Sequence, residues 1–428
     1  MPPTTAKSMK KNVKLFISHP LISGGFIVFT GTIFANALNF LFNLFMSRNL
    51  SVVDYGTLAS LISLITLATI PAGAVLPTVV HFAASYFVKN ENNKANELFF
   101  KIGKISLIAG FLLLFVFVIF SSNLGGFFKV RDNSLIAISG LFVLVSYLSI
   151  VNYGLLQAKL AFNFIALSQI IGASLKLLFG AILIFLGFSV RGGMWAYVVA
   201  YSITYFISFI PLRSLFHKSK AVSVVPIKEL LSYGMPAAVA LFSLTSLMTV
   251  DVMIVKHFFD PKSAGIYAGI SLLGKIVFYF SAPIGTVMFP LITQKFTKKE
   301  SYRSTLLLSV ILVFIPSIFL TAFYFIFPNF VIGVSLKNHE YLGGSSLLGL
   351  IGIYMSIFSL IYILTNFCLS IKHTKVYILV FISSILQVGL LWIYHQTFVQ
   401  VVSVSIVVAA LLLASLLLYL ISYVRKKN

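Results

Sequence analysis

Apolar runs of about 20 residues or more recur along the whole chain, separated by short clusters of charged and turn-forming residues. At a rise of about 1.5 Å per residue, such a run crosses the ~30 Å hydrocarbon core of a bilayer as a helix. The pattern predicts twelve helices near residues 22–47, 57–88, 103–122, 134–156, 164–188, 193–213, 231–257, 264–291, 304–327, 343–371, 375–395 and 399–424. The last two are divided within Trp392–Val402. The expected fold class is therefore all-α: a polytopic membrane protein with twelve transmembrane helices.

Composition agrees. Of 428 residues, 59% are hydrophobic and 9% charged, with a mean hydropathy of +1.04; a soluble domain carries roughly 25% charged residues. A net charge of +22 would point to nucleic acid in a soluble protein. Here the cations gather between spans, so nucleic acid is not expected as a partner. Lys7, Lys10, Lys11 and Lys14 resemble the basic start of a signal peptide, but the run Leu21–Met46 is too long for one and reads as a retained first span. Of 31 Lys and Arg residues, 22 fall in the loops on the side of the N-terminus. Seven fall on the other side: Arg48, Lys129, Arg131, Arg191, Lys256, Lys262 and Lys337. That asymmetry places both termini in the cytoplasm and the chain in the plasma or inner membrane. Cys368 stands alone and the histidines are scattered, so neither a disulfide framework nor a metal site is expected.

The chain also repeats itself. The turn SRNLSVVDYGTLA (47–59) matches KHFFDPKSAGIYA (256–268), aligning Gly56 with Gly265 at an offset of 209. IPAGAVLP (70–77) matches APIGTVMFP (282–290), which pairs Pro71 with Pro283 and Pro77 with Pro290. Two six-helix lobes follow, residues 1–215 and 229–428, joined by a basic cytoplasmic linker over 216–228 and facing each other across a central cavity. Proline removes a backbone donor, so the four prolines mark candidate hinges in the second and eighth spans.

Two cations remain inside spans, Lys176 and Lys275. Lys176 lies on an i+4 stripe with Ser168, Gly172 and Gly180. Such a stripe serves close helix packing, but a lysine in it favours a wet cavity. Lys275 shares a stripe with Ser271 and Tyr279, roughly 6 Å deeper in the membrane than Asp251. The two form either a structural ion pair or a pair that opens when an anionic head group competes for the lysine. Asp251 is also a candidate for a coupling proton or Na⁺. Asn36, Asn39 and Asn43 share one face of the first span and suit either a hydroxyl-rich ligand or helix-to-helix hydrogen bonds. Arg48 closes that span as an interfacial anchor or a further contact to the cargo. GISLLGKI (269–276) approaches a phosphate-loop motif, but Ile276 replaces its Ser/Thr and the string lies within a span. No paired carboxylates are available for hydrolysis, so neither an enzyme nor a cofactor is expected.

Several of these strings resemble one family. NLSVVDYG (49–56), YGLLQAKLAFNFIALSQII (153–171), LIFLGFSVRGGMWAY (183–197), YGMPAAV (233–239) and SAGIYA (263–268) are similar, in order and spacing, to the lipid-linked oligosaccharide flippases. These are the polysaccharide-exporter branch of the multidrug/oligosaccharidyl-lipid/polysaccharide (MOP) superfamily. The chain departs from their pattern at Val252, where Arg often follows the Asp. The resemblance implies transfer of polyprenyl-pyrophosphate-linked sugar units from the inner to the outer leaflet for capsule, O-antigen or exopolysaccharide assembly. Membrane lipids, polysaccharide-assembly proteins and a coupling ion, Na⁺ or H⁺, would be its partners. A multidrug cation antiporter of the same superfamily is the alternative, yet no acidic residue lies inside the first six spans. A membrane polysaccharide polymerase is a further alternative, but it needs a large outer loop, and the longest here, Pro328–Leu342, is short.

Overall fold

The computed structural model describes residues 20–73, 75–215, 227–371, 373 and 375–427. Lys7, Lys10, Lys11, Lys14 and most of the expected linker (216–226) lie outside the described residues. The first half of the chain forms α1 (Pro20–Asn49), α2 (Val52–Gly73), α3 (Leu76–Val88), α4 (Asn92–Ile119), α5 (Ser121–Phe127), α6 (Ser134–Ala158), α7 (Phe162–Phe185) and α8 (Ser189–Ile207). The second half forms α9 (Ile227–Phe258), α10 (Pro261–Gly274), α11 (Ile276–Thr297), α12 (Arg303–Ile326), α13 (Pro328–Leu336), α14 (Ser345–Ser370), α15 (Val376–Ile393) and α16 (Phe398–Lys427). No strand occurs among the described residues.

Eleven of the described helices are long and apolar enough to cross a membrane. The expected sixth span, α8, is not one of them, because Arg191, a glycine pair and three tyrosines dilute its hydropathy. It packs nonetheless against α6 and α7 as part of the first lobe. The outward faces are apolar: Phe111, Leu112 and Phe115 of α4 and Leu307, Leu308, Ile315 and Phe319 of α12 are each more than half exposed. A continuous belt of that kind is untenable in water and natural in lipid.

Two predicted spans are subdivided, for different reasons. The run 57–88 divides into α2 and α3, with Val75 N–H bonding Ala72 O in a tightened turn and proline in the first turn of α3, where its missing donor leaves no gap. The run 264–291 is interrupted only at Lys275. The bonds Lys275 N to Ser271 O and Tyr279 N to Lys275 O, both 3.0 Å, carry the ladder through it. Pro283 and Pro290 lie inside α11 and do not end it. The interruptions in the two halves therefore fall at different places, not at matching prolines. Between α9 and α10, Asp260 accepts the backbone N–H groups of Lys262 and Ser263, each at 3.0 Å, and Pro261 supplies the first helical position. The turn expected around Asp260-Pro261-Lys262 is thus a capped helix start.

Within the first half, α1 packs on α7, α4 on α6, and α8 on both α6 and α7. In the second half α14 is central, against α11, α12 and α16, while α9 pairs with α15. The halves meet mainly where α2 lies against α9 and α10. At the heart of that seam Gly56 touches Gly265, its own partner in the repeat. A Cβ on Gly56 would stand 2.7 Å from Gly265 Cα, and one on Gly265 would stand 1.9 Å from Val52 O. Only glycine allows the two backbones to come this close. Repeat-related residues can touch only on the axis relating the repeats, so the pair marks that axis.

Polar contacts reinforce the seam at the same end, the expected outer side. Arg48 donates to Ser335 O (2.6 Å) and Val334 O (2.9 Å) at the end of α13. Lys129 Nζ donates to Phe259 O at 2.8 Å, and Lys256 Nζ to Thr57 Oγ1 at 2.9 Å. The His257 ring lies 2.8 Å from Phe127 O and stacks on the Phe127 ring.

Candidate functional site

On the side of the seam nearer the N-terminus of α1, the first lobe encloses a cavity of about 500 Å³ walled by α1, α2, α6, α7 and α8. From mid-membrane depth it runs toward the ends of α2, α6 and α8 and the start of α7. Hydroxyls (Thr32, Ser146, Ser149, Ser168, Thr204), amides (Asn36, Asn39, Gln169) and the tyrosines 153, 201 and 205 line it, with no Asp or Glu. The stripe Ser168, Gly172 and Lys176 faces this space. Gly180 does not; a Cβ there would meet Phe42 and Met46, so it serves packing.

Among the described residues Lys176 is the one ionisable amine of the cavity wall, and it is 4% exposed. Its Nζ donates to Asn39 Oδ1 at 2.5 Å and lies 4.2 Å from the Tyr197 ring centroid and 4.7 Å from that of Phe42. No carboxylate pairs with it: the ion pairs among the described residues are Lys94–Glu91, Arg191–Asp132 and Lys262–Glu340. Ring faces and one amide oxygen hold the cation but leave its charge uncompensated. With Asn39 Oδ1 engaged by the lysine, the amide's remaining polar group is a donor. Gln169 is satisfied at both ends, by the Thr32 hydroxyl and Tyr153 Oη.

The other predicted residues are placed as follows. Asn36 and Asn39 line the cavity, whereas Asn43 bonds back to Asn39 O on its own helix. Arg48 is an inter-lobe clamp outside the cavity. Pro71, two residues before the end of α2, is exposed, and Pro77 opens α3. Lys275 is half-buried at the junction of α10 and α11 and does not line the cavity of Lys176, so the two amines are not brought into one chamber. Nor does it touch Asp251: the two interact across space, with no nitrogen–oxygen approach within 4 Å.

Asp251 instead belongs to one of two buried polar groups in the second lobe. It is 1% exposed, and its Oδ2 accepts the Tyr267 hydroxyl at 2.7 Å, while Oδ1 has no hydrogen-bond partner. Tyr354 donates to Leu247 O, and Gln387 Nε2 reaches Tyr354 Oη (3.2 Å) and Ser405 Oγ (3.0 Å), leaving Gln387 Oε1 unpartnered. Tyr267, Tyr354, Gln387 and Ser405 do not stand out in the sequence, where each is an isolated polar residue in an apolar run. Lys256, counted there among the outer-loop cations, is buried (1% exposed) in the last turn of α9.

A second recess of about 690 Å³ lies over the seam on the expected outer side, among Asp54, Lys129, Arg131, Asp132, Arg191, Asp260 and Lys262. The Arg191 hydrogen bond, aided by Ser134, holds the Asp132 carboxyl down at about 2.

Comparison with known proteins places this geometry. Residues 21–296 match the model of the family described as "Polysaccharide biosynthesis protein". A search of curated proteins finds no significant match. Among solved structures, an inward-facing multidrug resistance MATE family transporter of the MOP superfamily superposes with a TM-score of 0.73 at 16% identity, over 93% of this chain and 96% of that one. The MATE multidrug transporter DinF-BH gives 0.72 at 17%, over 95% and 96%. An outward-facing MATE transporter gives 0.66 at 14%, over 97% and 99%. At such identities the likeness establishes the fold, two lobes included. The family match covers well over half of the chain, including the seam, the cavity and Lys176, and with eleven described helices long and apolar enough to cross a membrane this chain belongs, as a multi-pass membrane protein, to the polysaccharide biosynthesis protein family.

Proposed function

We propose that the protein is a flippase for polyprenyl-pyrophosphate-linked oligosaccharides, moving sugar units from the inner to the outer leaflet of the plasma or inner membrane for cell-surface polysaccharide assembly. The observation that carries this reading is Lys176, an amine with no carboxylate partner in a cavity walled by hydroxyl, amide and tyrosine groups. A cation held at that depth is costly unless something compensates it, and an anionic, hydroxyl-rich cargo would do so. A carrier of organic cations would instead need a carboxylate here, and the cavity lining has none. Both termini are cytoplasmic in this reading, the lobes are residues 1–215 and 229–428 with the linker 216–228 between them, and the polyprenyl tail stays in lipid.

Alternating access follows from the seam. With α2 held against α9 and α10 at the outer end, the cavity faces inward; parting that end and closing the other delivers the cargo. A ligand drives the exchange only by binding the two states unequally. Asp251 is the group we assign to a coupling cation, H⁺ or Na⁺, since its Oδ1 is a buried oxygen without a partner. Substitution of Lys176 by Met in producing cells tests the proposal. Surface polymer should fall at least about tenfold at unchanged protein level, the worth of one charge-assisted hydrogen bond, and lipid-linked units should accumulate. Normal export by the variant would contradict it.

A further inference from the structure

We propose that Lys176 reads a negative charge carried by the sugars themselves rather than the pyrophosphate, so that the cargo is an acidic glycan; this rests on the flippase reading above. Depth is the first argument. Lys176 is the fifteenth residue of α7, about 20 Å along the helix from its inner end. A polyprenyl pyrophosphate entering from the inner leaflet keeps its tail in lipid and its phosphates near head-group level. What reaches about 20 Å further into the lobe is glycan.

Charge balance is the second. Among the described residues the cavity wall offers one ionisable amine, the Asn39 amide beside it and no acidic side chain. Amine and amide together present donors, which suit a group that only accepts: a carboxylate or a phosphate ester oxygen. A single amine matches a single negative charge, whereas a pyrophosphate carries more than one. The wall is otherwise built for sugar, with the rings of Tyr201 and Tyr205 for hydrophobic faces and the serine and threonine hydroxyls for ring hydroxyls. A cavity of about 500 Å³ admits a sugar residue or two, not a long chain. An acidic sugar and a neutral sugar substituted through a phosphodiester share this chemistry.

Transport by the full chain in proteoliposomes separates the cases. Three probes share one polyprenyl-pyrophosphate tail and differ in the disaccharide: neutral, bearing one uronic acid, or bearing one phosphodiester, which like the uronate carries a single charge. Wild type should move at least one charged probe about tenfold or more faster than the neutral one at limiting concentration. Which one it favours names the source of the charge. Lys176→Met should abolish that preference, bringing the charged probes down to the rate of the neutral one, and a thermal melt of the purified variant reports that it is folded. Should that variant fail to fold, the wild-type ratio decides alone. Equal rates for all three probes in wild type would overturn the proposal. So would an equal loss on all three in the variant, because the amine would then act on the pyrophosphate they share. If no probe moves at all in wild type, the flippase reading itself fails, an outcome distinct from lost selectivity.

Discussion

Replacing Gly265 by alanine tests whether the lobes are locked together where the repeats meet. The new Cβ would lie 1.9 Å from Val52 O and 2.7 Å from the Val52 side chain. Relief needs α2 and α10 to part by more than about 1 Å, because backbone atoms cannot be displaced as a flexible side chain can. Overpacking of this kind costs about 1–3 kcal/mol. Charged to the seam-closed state alone, that shifts its population against the open one by about 5- to 150-fold. Gly56→Ala, with its nearest atom at 2.7 Å, should act in the same direction and more weakly, while Gly103→Ala, with nothing within 4 Å, should do nothing. Spin labels at the exposed Asn49 and Val334, in a Cys368→Ser background, report the distance across the seam by pulsed resonance. Gly265→Ala should move most of the signal to a longer distance, Gly56→Ala part of it, and Gly103→Ala none. An unchanged distance distribution for Gly265→Ala in a folded protein would refute the seam as described.

Other consequences follow from the same geometry. Arg48→Ala removes two hydrogen bonds to the end of α13 and should lengthen the same spin-label distance by less than Gly265→Ala does, as an exposed charged contact adds on the order of 1 kcal/mol. Asp251→Asn should abolish the dependence of transport on an imposed ion gradient while preserving thermal stability, since the amide can still accept the Tyr267 hydroxyl; gradient-driven transport equal to wild type would remove Asp251 from that role. Asp132, whose folded value lies near 2 and below the usual carboxylate value, contributes stability that is present above about pH 4 and is lost as pH falls through about 2. A carboxyl NMR titration should place its midpoint near 2 in wild type and near the ordinary value in Arg191→Gln; identical midpoints would contradict the pairing.

Much of this fold is legible in the sequence, because a membrane span must satisfy its own backbone and therefore writes itself as a long apolar run. The break before Phe398 and the capped turn at Asp260 follow from local chemistry in the same way. Lys176 stands out because a lysine on an i+4 stripe of small residues is visible without knowing what lies opposite. Its surroundings do not: Phe42 and Tyr197 come from distant helices, and only the fold brings them to the amine. Lys256 misleads because a cation two residues from an aromatic helix end reads as solvent-exposed, whereas the chain folds it inward onto Thr57 of the other lobe. The proline pairs do not by themselves locate the helix breaks. Pro283 and Pro290 lie within one helix, while the interruption falls at Lys275, directly after Gly274. The repeat carries more than it promises, since Gly56 and Gly265, aligned as equivalents, meet face to face on the axis between the lobes.

We propose that a buried amine without a carboxylate partner equips this protein for anionic, lipid-linked sugar and not for organic cations. Reconstituted protein offered both cargoes decides it most directly, with leaflet transfer of a uronic-acid-bearing polyprenyl-pyrophosphate glycan and of a cationic dye followed side by side. The glycan should cross, the dye should not, and Lys176→Met should stop the glycan selectively. Transfer of the dye with no transfer of the glycan, in protein that is otherwise intact, would contradict the account.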